Sequence, residues 1–268
     1  MSTERSIFQA LAELENKNRA GAFCTIVRSQ GSTPRGAGSK MLVYEDGSII
    51  GTVGGGEMEN RVIAEALEAM KQGSSRMVEY SMADPQRGDP GICGGQLEVY
   101  VEPVLPKPSM LVIGAGHVGK AVAHLAHWLG FWVIVSDDRA EFCTPETVPD
   151  ADEYCPLQIG ELPDKIKITP WTYVVLTTRG VDIDVLGLPA LLNSNAGYIG
   201  VIGSRRRWTT TRKQLIEQGV PERIIDRVRS PIGLELNAET PEEIAVSIMA
   251  EVIMLCQGGD GSIMSDND

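Results

Sequence analysis

Apolar and polar positions follow two different rhythms along this chain. Up to residue 105, short strand-like runs dominate, at 23–28, 40–44, 48–53, 76–81 and 96–102. Two helical patterns interrupt them. One covers 7–18, where Ile7, Ala10, Leu11 and Leu14 recur at helical spacing; the other covers 57–72 and has Gly73 placed to end it. These elements predict a small α+β domain with a mostly antiparallel sheet. Further on, continuous apolar runs at 110–113, 132–135, 173–177 and 198–202 alternate with helical stretches, the clearest being 118–129 and 241–256. The last of these opens with Thr240-Pro241-Glu242-Glu243, a capping box with proline at the first helical position. Strands alternating with helices predict a doubly wound parallel sheet, so the chain reads as α/β.

Residues 101–108 hold three prolines, which resist both helix and central strand. They mark a boundary between a domain at 1–105 and another at 106–256. Residues 141–170 are rich in proline and acids and carry no readable pattern. The tail, 257–268, has little to bury and is expected to be disordered.

Composition narrows the function. With 268 residues and 43% apolar content there is enough material for two cores. A net charge of −12 argues against unspecific nucleic-acid binding, which depends on neutralising phosphates. No stretch approaches the roughly 20 apolar residues of a membrane span. The start, Met-Ser-Thr-Glu-Arg-Ser, lacks a signal-peptide pattern, so a cytoplasmic location is expected. The five cysteines (24, 93, 143, 155, 256) are scattered without C-x-x-C spacing, which suits reduced thiols better than disulfides or a zinc site.

Four groups of residues carry candidate chemistry. The first is Gly114-x-Gly116-x-x-Gly119, directly after an apolar run and before a helix, with Asp137 at the end of the next strand. Such glycines allow a tight turn, a close phosphate and close helix packing, and the acid accepts from ribose hydroxyls. An acid there favours NAD or another adenine nucleotide over a 2′-phosphorylated one. His117 sits inside this fingerprint. The alternative is that the fold persists without a ligand.

The second group is Gly203-Ser204-Arg205-Arg206-Arg207, after the strand at 198–202. Ser204 is a candidate N-cap, and arginines in a first helical turn oppose the helix dipole unless an anion is bound. The alternative is a solvated basic stripe. The third group joins Arg28 to Lys40, including Arg35, with the run Gly54-Gly55-Gly56 before the helix at 57–72. Backbone N–H groups there suit an oxyanion, or the segments are plain loops. The fourth is Cys93, a thiol between glycines in Ile92-Cys93-Gly94-Gly95. It is positioned to present sulfur to a metal or a sulfur donor, unless it is structural. His117, His124 and His127 fall on one helical face, which reads as solvated rather than metal-binding.

In combination, these motifs resemble the XdhC/CoxI family over nearly the whole chain. The N-terminal resemblance lies in Arg28-Ser-Gln-Gly-Ser-Thr-Pro-Arg-Gly-Ala-Gly-Ser-Lys-Met41, Gly51-Thr-Val-Gly-Gly-Gly-Glu57 and Ile92-Cys-Gly-Gly-Gln-Leu-Glu98. The C-terminal part lies in Val112-Ile-Gly-Ala-Gly-His-Val-Gly119, Ile202-Gly-Ser-Arg-Arg206, Ser230-Pro-Ile-Gly-Leu234 and Thr240-Pro-Glu-Glu-Ile-Ala-Val246. The resemblance implies a Rossmann-like C-terminal domain. It also implies a factor that matures molybdenum hydroxylases of the xanthine or carbon monoxide dehydrogenase type. Such a factor binds molybdenum cofactor (molybdopterin), supports its sulfuration with a cysteine desulfurase and delivers it to the hydroxylase apoenzyme. By that resemblance Cys93 is the thiol near molybdenum, and the loops of Arg35 and Gly54, Gly55 and Gly56 hold pterin or phosphate. A carrier is expected rather than a turnover enzyme, with a homodimer as the way to sequester the cofactor. Two other functions compete: an NAD-dependent oxidoreductase, against which no His–Asp pair or Tyr with Lys is evident, and a nucleotide-sensing regulator.

Overall fold

A computed structural model of the chain describes residues 3–81 and 95–266. It divides into two compact units, Met1–Pro106 and Lys107–Asp268.

The first unit contains, in order, α1 (Thr3–Asn16), β1 (Gly21–Gln30), β2 (Lys40–Tyr44), β3 (Ile49–Gly51), α2 (Gly56–Gln72), β4 (Arg76–Ser81) and β5 (Gln96–Val104). The strands form one antiparallel sheet in the order β3-β2-β1-β5-β4. α1 packs on β2 and β3, burying Ile7, Ala10 and Leu14 against Leu42. α2 lies along β1 and β5 and buries Met58, Val62, Ala66, Ala69 and Met70. These α2 positions recur every three to four residues, as a helix laid on a sheet requires. Gly73 closes α2 in the left-handed conformation.

The second unit contains β6 (Ser109–Ile113), α3 (His117–Trp128), β7 (Trp132–Ser136), β8 (Glu153–Cys155), α4 (Leu162–Lys165), β9 (Thr172–Leu176), α5 (Val181–Leu192), β10 (Tyr198–Val201), α6 (Arg205–Glu217), α7 (Glu222–Ile225), β11 (Val228–Arg229) and α8 (Pro241–Gln257). Its six strands are all parallel, in the order β11-β10-β9-β6-β7-β8. Successive residues of each strand feed opposite cores. Leu111, Ile134, Val174 and Ile199 pack with Leu188 and Leu191 of α5 and Leu215 of α6. Met110, Val112, Val133, Val135 and Val175 pack with Val122 and Ala126 of α3 and Ile248 and Val252 of α8. Both faces are therefore covered, which explains why these strands read as unbroken apolar runs.

This is the Rossmann-like order, with the chain reversing direction through the sheet between β6 and β9. The sequence pattern did not reveal β8 or β11, the two short edge strands. Nor does the tail stay wholly without structure: Gln257 ends α8, Gly258 caps it, and Met264–Asp266 form a 3-10 turn.

Candidate functional site

The reversal point opens a crevice outside the carboxyl ends of β6, β7 and β9. The cavity there measures about 540 Å³ and is lined by Gly114, Gly116, Asp137, Arg139 and Arg179, among others. Gly114 has φ +105° and turns the chain out of β6. Its N–H donates to the Ser136 carbonyl at 2.7 Å, and its own carbonyl accepts from Thr177 Oγ1 at 2.6 Å. A Cβ at Gly119 would stand 1.8 Å from that same carbonyl, so the helix sits as close as backbone permits. Gly116 caps α3 with no side-chain bond. His117, the first residue of α3, is exposed.

Asp137 is buried and fully engaged. Its Oδ2 accepts from the Ala115 N–H and from Arg139 Nη2, both at 2.9 Å, and its Oδ1 from the Arg139 N–H and Nε at 3.0 and 2.9 Å. Burial raises its pKa, but these bonds outweigh it and hold the carboxyl below the usual carboxylate range. Its acceptor positions are thus committed to the chain's own donors rather than left open for ribose hydroxyls. Asp138 is matched in turn by Arg179 in a two-pronged pair of 2.8 and 2.7 Å. Neither arginine was singled out in the sequence. The only available signals were Arg139 following two acids and Arg179 following a strand end.

The Gly203–Arg207 motif divides. Ser204 caps α6 by accepting from the Arg207 N–H at 3.2 Å. Arg205 and Arg206 are exposed. Arg207 does not join them, which corrects the expectation of three arginines facing an anion. Its guanidinium turns inward to Asp184 Oδ2 at 2.7 Å, the Thr178 carbonyl at 2.9 Å and Thr178 Oγ1 at 2.8 Å. Asp184 has no exposure at all and also accepts from the Thr178 hydroxyl. Arg207 therefore pins the segment that carries Arg179.

The motif Ser230–Leu234 is held by α8. The Gly233 N–H and the Tyr198 hydroxyl donate to the buried Glu251 carboxylate, the latter at 3.1 Å, and Leu234 exchanges bonds with Ser247. These contacts surround a hollow of about 980 Å³ at the amino ends of β9 and β10.

In the first unit, the two segments of the third motif group meet at one end of the sheet, beside Gly95. Gln30 and Ser81, the last residues of β1 and β4, both pair with Gln96, the first of β5, and Gly51, the last of β3, pairs with Met41 near the start of β2. The segments 31–39 and 52–55 therefore span the same end, and Gly95 lies beside them. A Cβ at Gly95 would lie 2.3 Å from the Ser32 carbonyl, and one at Gly54 would lie 3.2 Å from Pro34 Cβ, so their backbones touch the 31–39 loop directly. Arg35 is exposed on that loop. Gly54, Gly55 and Gly56 all have positive φ; the Gly54 and Gly55 N–H groups donate to Thr52 Oγ1 and Glu59 Oε2 at 3.1 and 3.3 Å. Cys93 lies outside the described residues.

Among the described residues, no group of three or more histidines, cysteines and acids is arranged to hold a metal. His124 bonds Asp150 at 2.9 Å. Burial pushes the Cys24 thiol up to about 12 and the Cys155 thiol up to about 11, so neither is a ready nucleophile. No helix among the described residues is long and apolar enough to cross a membrane.

Comparison with known proteins extends this geometry. The pattern of the XdhC Rossmann domain matches residues 110–252, and that of the XdhC and CoxI family matches residues 14–81. Uncharacterized protein YqeB of Escherichia coli (strain K12) is 36% identical over 261 residues, covering 97% of this chain and 48% of that protein. A probable xanthine dehydrogenase subunit of Bacillus subtilis (strain 168) is 34% identical over 155 residues, 58% of this chain and 45% of that protein. The chain thus spans about half the length of each of these two relatives. Molybdenum cofactor insertion chaperone PaoD of Escherichia coli (strain K12) is 22% identical over 287 residues, 92% of this chain and 87% of that one. A crystal structure of a xanthine dehydrogenase from Bacillus halodurans aligns over 98% of both chains, with 24% identity and a TM-score of 0.51, a likeness of fold.

Proposed function

The chain belongs to the XdhC and CoxI family, and from that membership we propose that it is a maturation factor for a molybdenum hydroxylase. Its cargo is molybdenum cofactor, which it holds, readies by sulfuration with a cysteine desulfurase and passes to the apoenzyme. The hydroxylase is of the xanthine or carbon monoxide dehydrogenase type. Transfer takes place in the cytoplasm, and the working unit is a homodimer. One relative matched across most of both chains is named a molybdenum cofactor insertion chaperone.

The observation that carries this proposal is the gathering of segments 31–39 and 52–55, with Gly95 against Ser32, at one end of the antiparallel sheet. The donor set suits the cargo. Molybdopterin offers a phosphate and a metal in a dithiolene. Exposed Arg35 and the Gly54–Gly55–Gly56 turn at the amino end of α2 suit the phosphate or pterin. A soft thiolate at Cys93 suits molybdenum or the incoming sulfur. The Glu59 carboxylate now bonded to Gly55 must yield if an anion takes that N–H.

The test is anaerobic purification from cells that make molybdenum cofactor, followed by pterin fluorescence, metal analysis and activation of an apo-hydroxylase. We expect stoichiometric pterin and molybdenum, and loss of both cofactor and activation in Cys93→Ala. A variant that keeps cofactor and still activates the target removes the role given to Cys93. Wild type that carries no pterin removes the carrier function.

A further inference from the structure

A second cavity of the parallel sheet lies at the end opposite to the one where open α/β sheets hold their ligands. It measures about 980 Å³ and opens at the amino ends of β9 and β10. Its buried charge is Glu251, 5% exposed, one of the inward positions of α8 together with Ile248, Met249 and Val252. A buried carboxylate is costly unless its surroundings repay the lost water. The structural duties of Glu251 are two. Its Oε1 accepts from the Tyr198 hydroxyl and its Oε2 from the Gly233 N–H. A glutamine carbonyl has two acceptor positions and would serve those donors without a charge. Packing alone therefore does not call for the carboxylate.

Arg229 of β11 is the complement that the fold leaves unspent. Its Nε stands 3.7 Å from Glu251 Oε1, the loose end of an ion pair, and its side chain is 54% exposed. Among the described residues its two Nη groups donate to no hydrogen-bond partner. The neighbouring Arg227 shows the contrast, with its guanidinium spent on the carbonyls of Leu192, Ser194 and Ala196 at 2.7, 3.2 and 3.0 Å. On the acid, Oε2 has one donor where a carboxylate oxygen takes about two. The hollow thus presents an open guanidinium fork beside an open carboxylate position. A guest that is only an anion meets Glu251, and one that is only a cation meets Arg229, a like charge in each case. A guest with both charges on adjacent atoms avoids both penalties. Leu234, Met254 and Leu255, all half-buried, supply apolar wall around the pair. The volume lies within the range of about 300–1,000 Å³ typical of small-molecule sites.

We propose that this hollow binds a free α-amino acid, with its carboxylate on the Arg229 Nη groups, its ammonium on Glu251 Oε2 and its side chain along Leu234, Met254 and Leu255. Carboxylate and ammonium carried on one carbon match a fork and an acid that stand side by side. The site lies wholly in the second unit, and its occupancy is read without any molybdenum enzyme, so it stands or falls apart from the maturation role.

The experiment is calorimetric titration of the full chain with leucine, methionine, serine, glutamate and lysine, then with the deaminated acid and the decarboxylated amine of the tightest binder. We expect one-to-one binding of at least one amino acid; the tightest names the side chain. Each analogue should bind about tenfold or more weakly, because one charge-assisted contact is lost. Arg229→Gln should keep the wild-type melting temperature, since the side chain is half exposed, and lose about tenfold or more in affinity. Glu251→Gln keeps acceptors for Tyr198 and Gly233 and should abolish the preference for the amino acid over its deaminated acid. The proposal is overturned if no amino acid binds at millimolar concentration, if either analogue binds as tightly as its parent, if Arg229→Gln binds like wild type, or if folded Glu251→Gln keeps the preference. Should Glu251→Gln fail to fold, the analogues and Arg229→Gln decide.

Discussion

Replacing Arg207 by methionine tests the inward-turned arginine directly. In the native unit Asp184 has no exposure, and Arg207 supplies two bonds to it, at 2.7 and 3.2 Å. Methionine fills a similar volume but leaves the carboxylate with the Thr178 hydroxyl alone. Removing one partner of a buried pair costs about 3–5 kcal/mol. In a unit of this size 1 kcal/mol moves Tm by roughly 2–4 °C, so the midpoint should fall by about 10 °C.

The loss should also depend on pH. Burial raises the Asp184 pKa, and the bonds from Thr178 and Arg207 offset it only in part. Taking Arg207 away raises it further. A carboxyl whose folded pKa lies above its unfolded value of about 3.9 adds stability fully below that value and loses it as pH rises through the folded pKa. The deficit of Arg207→Met against wild type should therefore be small near the unfolded value and widen toward neutrality. Asp184→Leu combined with Arg207→Met should recover much of the stability, since an apolar pair removes the stranded charge. Circular-dichroism melts of the four proteins over a pH series form a double-mutant cycle. A cost under about 1 kcal/mol at neutral pH, with no pH trend, would refute an ionised, arginine-dependent Asp184.

Three further outcomes follow from the geometry. Gly119→Ala forces a methyl against the Gly114 carbonyl and should cost about 3 kcal/mol, whereas Gly116→Ala should stay within about 0.5 kcal/mol; equal costs in denaturant titrations would contradict the close approach of α3 to β6. Thr240→Ala removes the hydroxyl that caps α8 through the Glu243 N–H and should cost about 1 kcal/mol by the same titrations, an unchanged midpoint counting against the capping box. Cys24, buried and pushed up to about 12, should resist maleimide at mildly alkaline pH until the first unit unfolds; rapid native labelling seen by mass spectrometry would show that β1 is open.

Local signals made several elements legible. The capping box at Thr240, the glycine stop at Gly73 and the unbroken apolar runs of β6, β7, β9 and β10 each rest on chemistry within a few residues, and the structure bears all of them out. α5 and α6 carried no comparable stripe. α5 is mostly apolar without a one-sided stripe and contains Gly187 and Pro189, while α6 is mostly polar, with three arginines and three threonines in its first seven positions. Their helical state is set by the sheet they cover, through Leu188, Leu191 and Leu215.

The amino-acid order by itself determined the family, the α/β class and the glycine fingerprint, because each is a property of short, contiguous segments. Only tertiary structure decided how the charged groups are spent. Arg207 lies beside Arg205 and Arg206 in the chain but reaches Asp184, 23 residues away; Arg179 reaches across 41 residues to Asp138. A side chain's partner depends on which strands are neighbours in the sheet. Pairing of β6 with both β7 and β9 is what brings these separate acids and arginines together around one crevice.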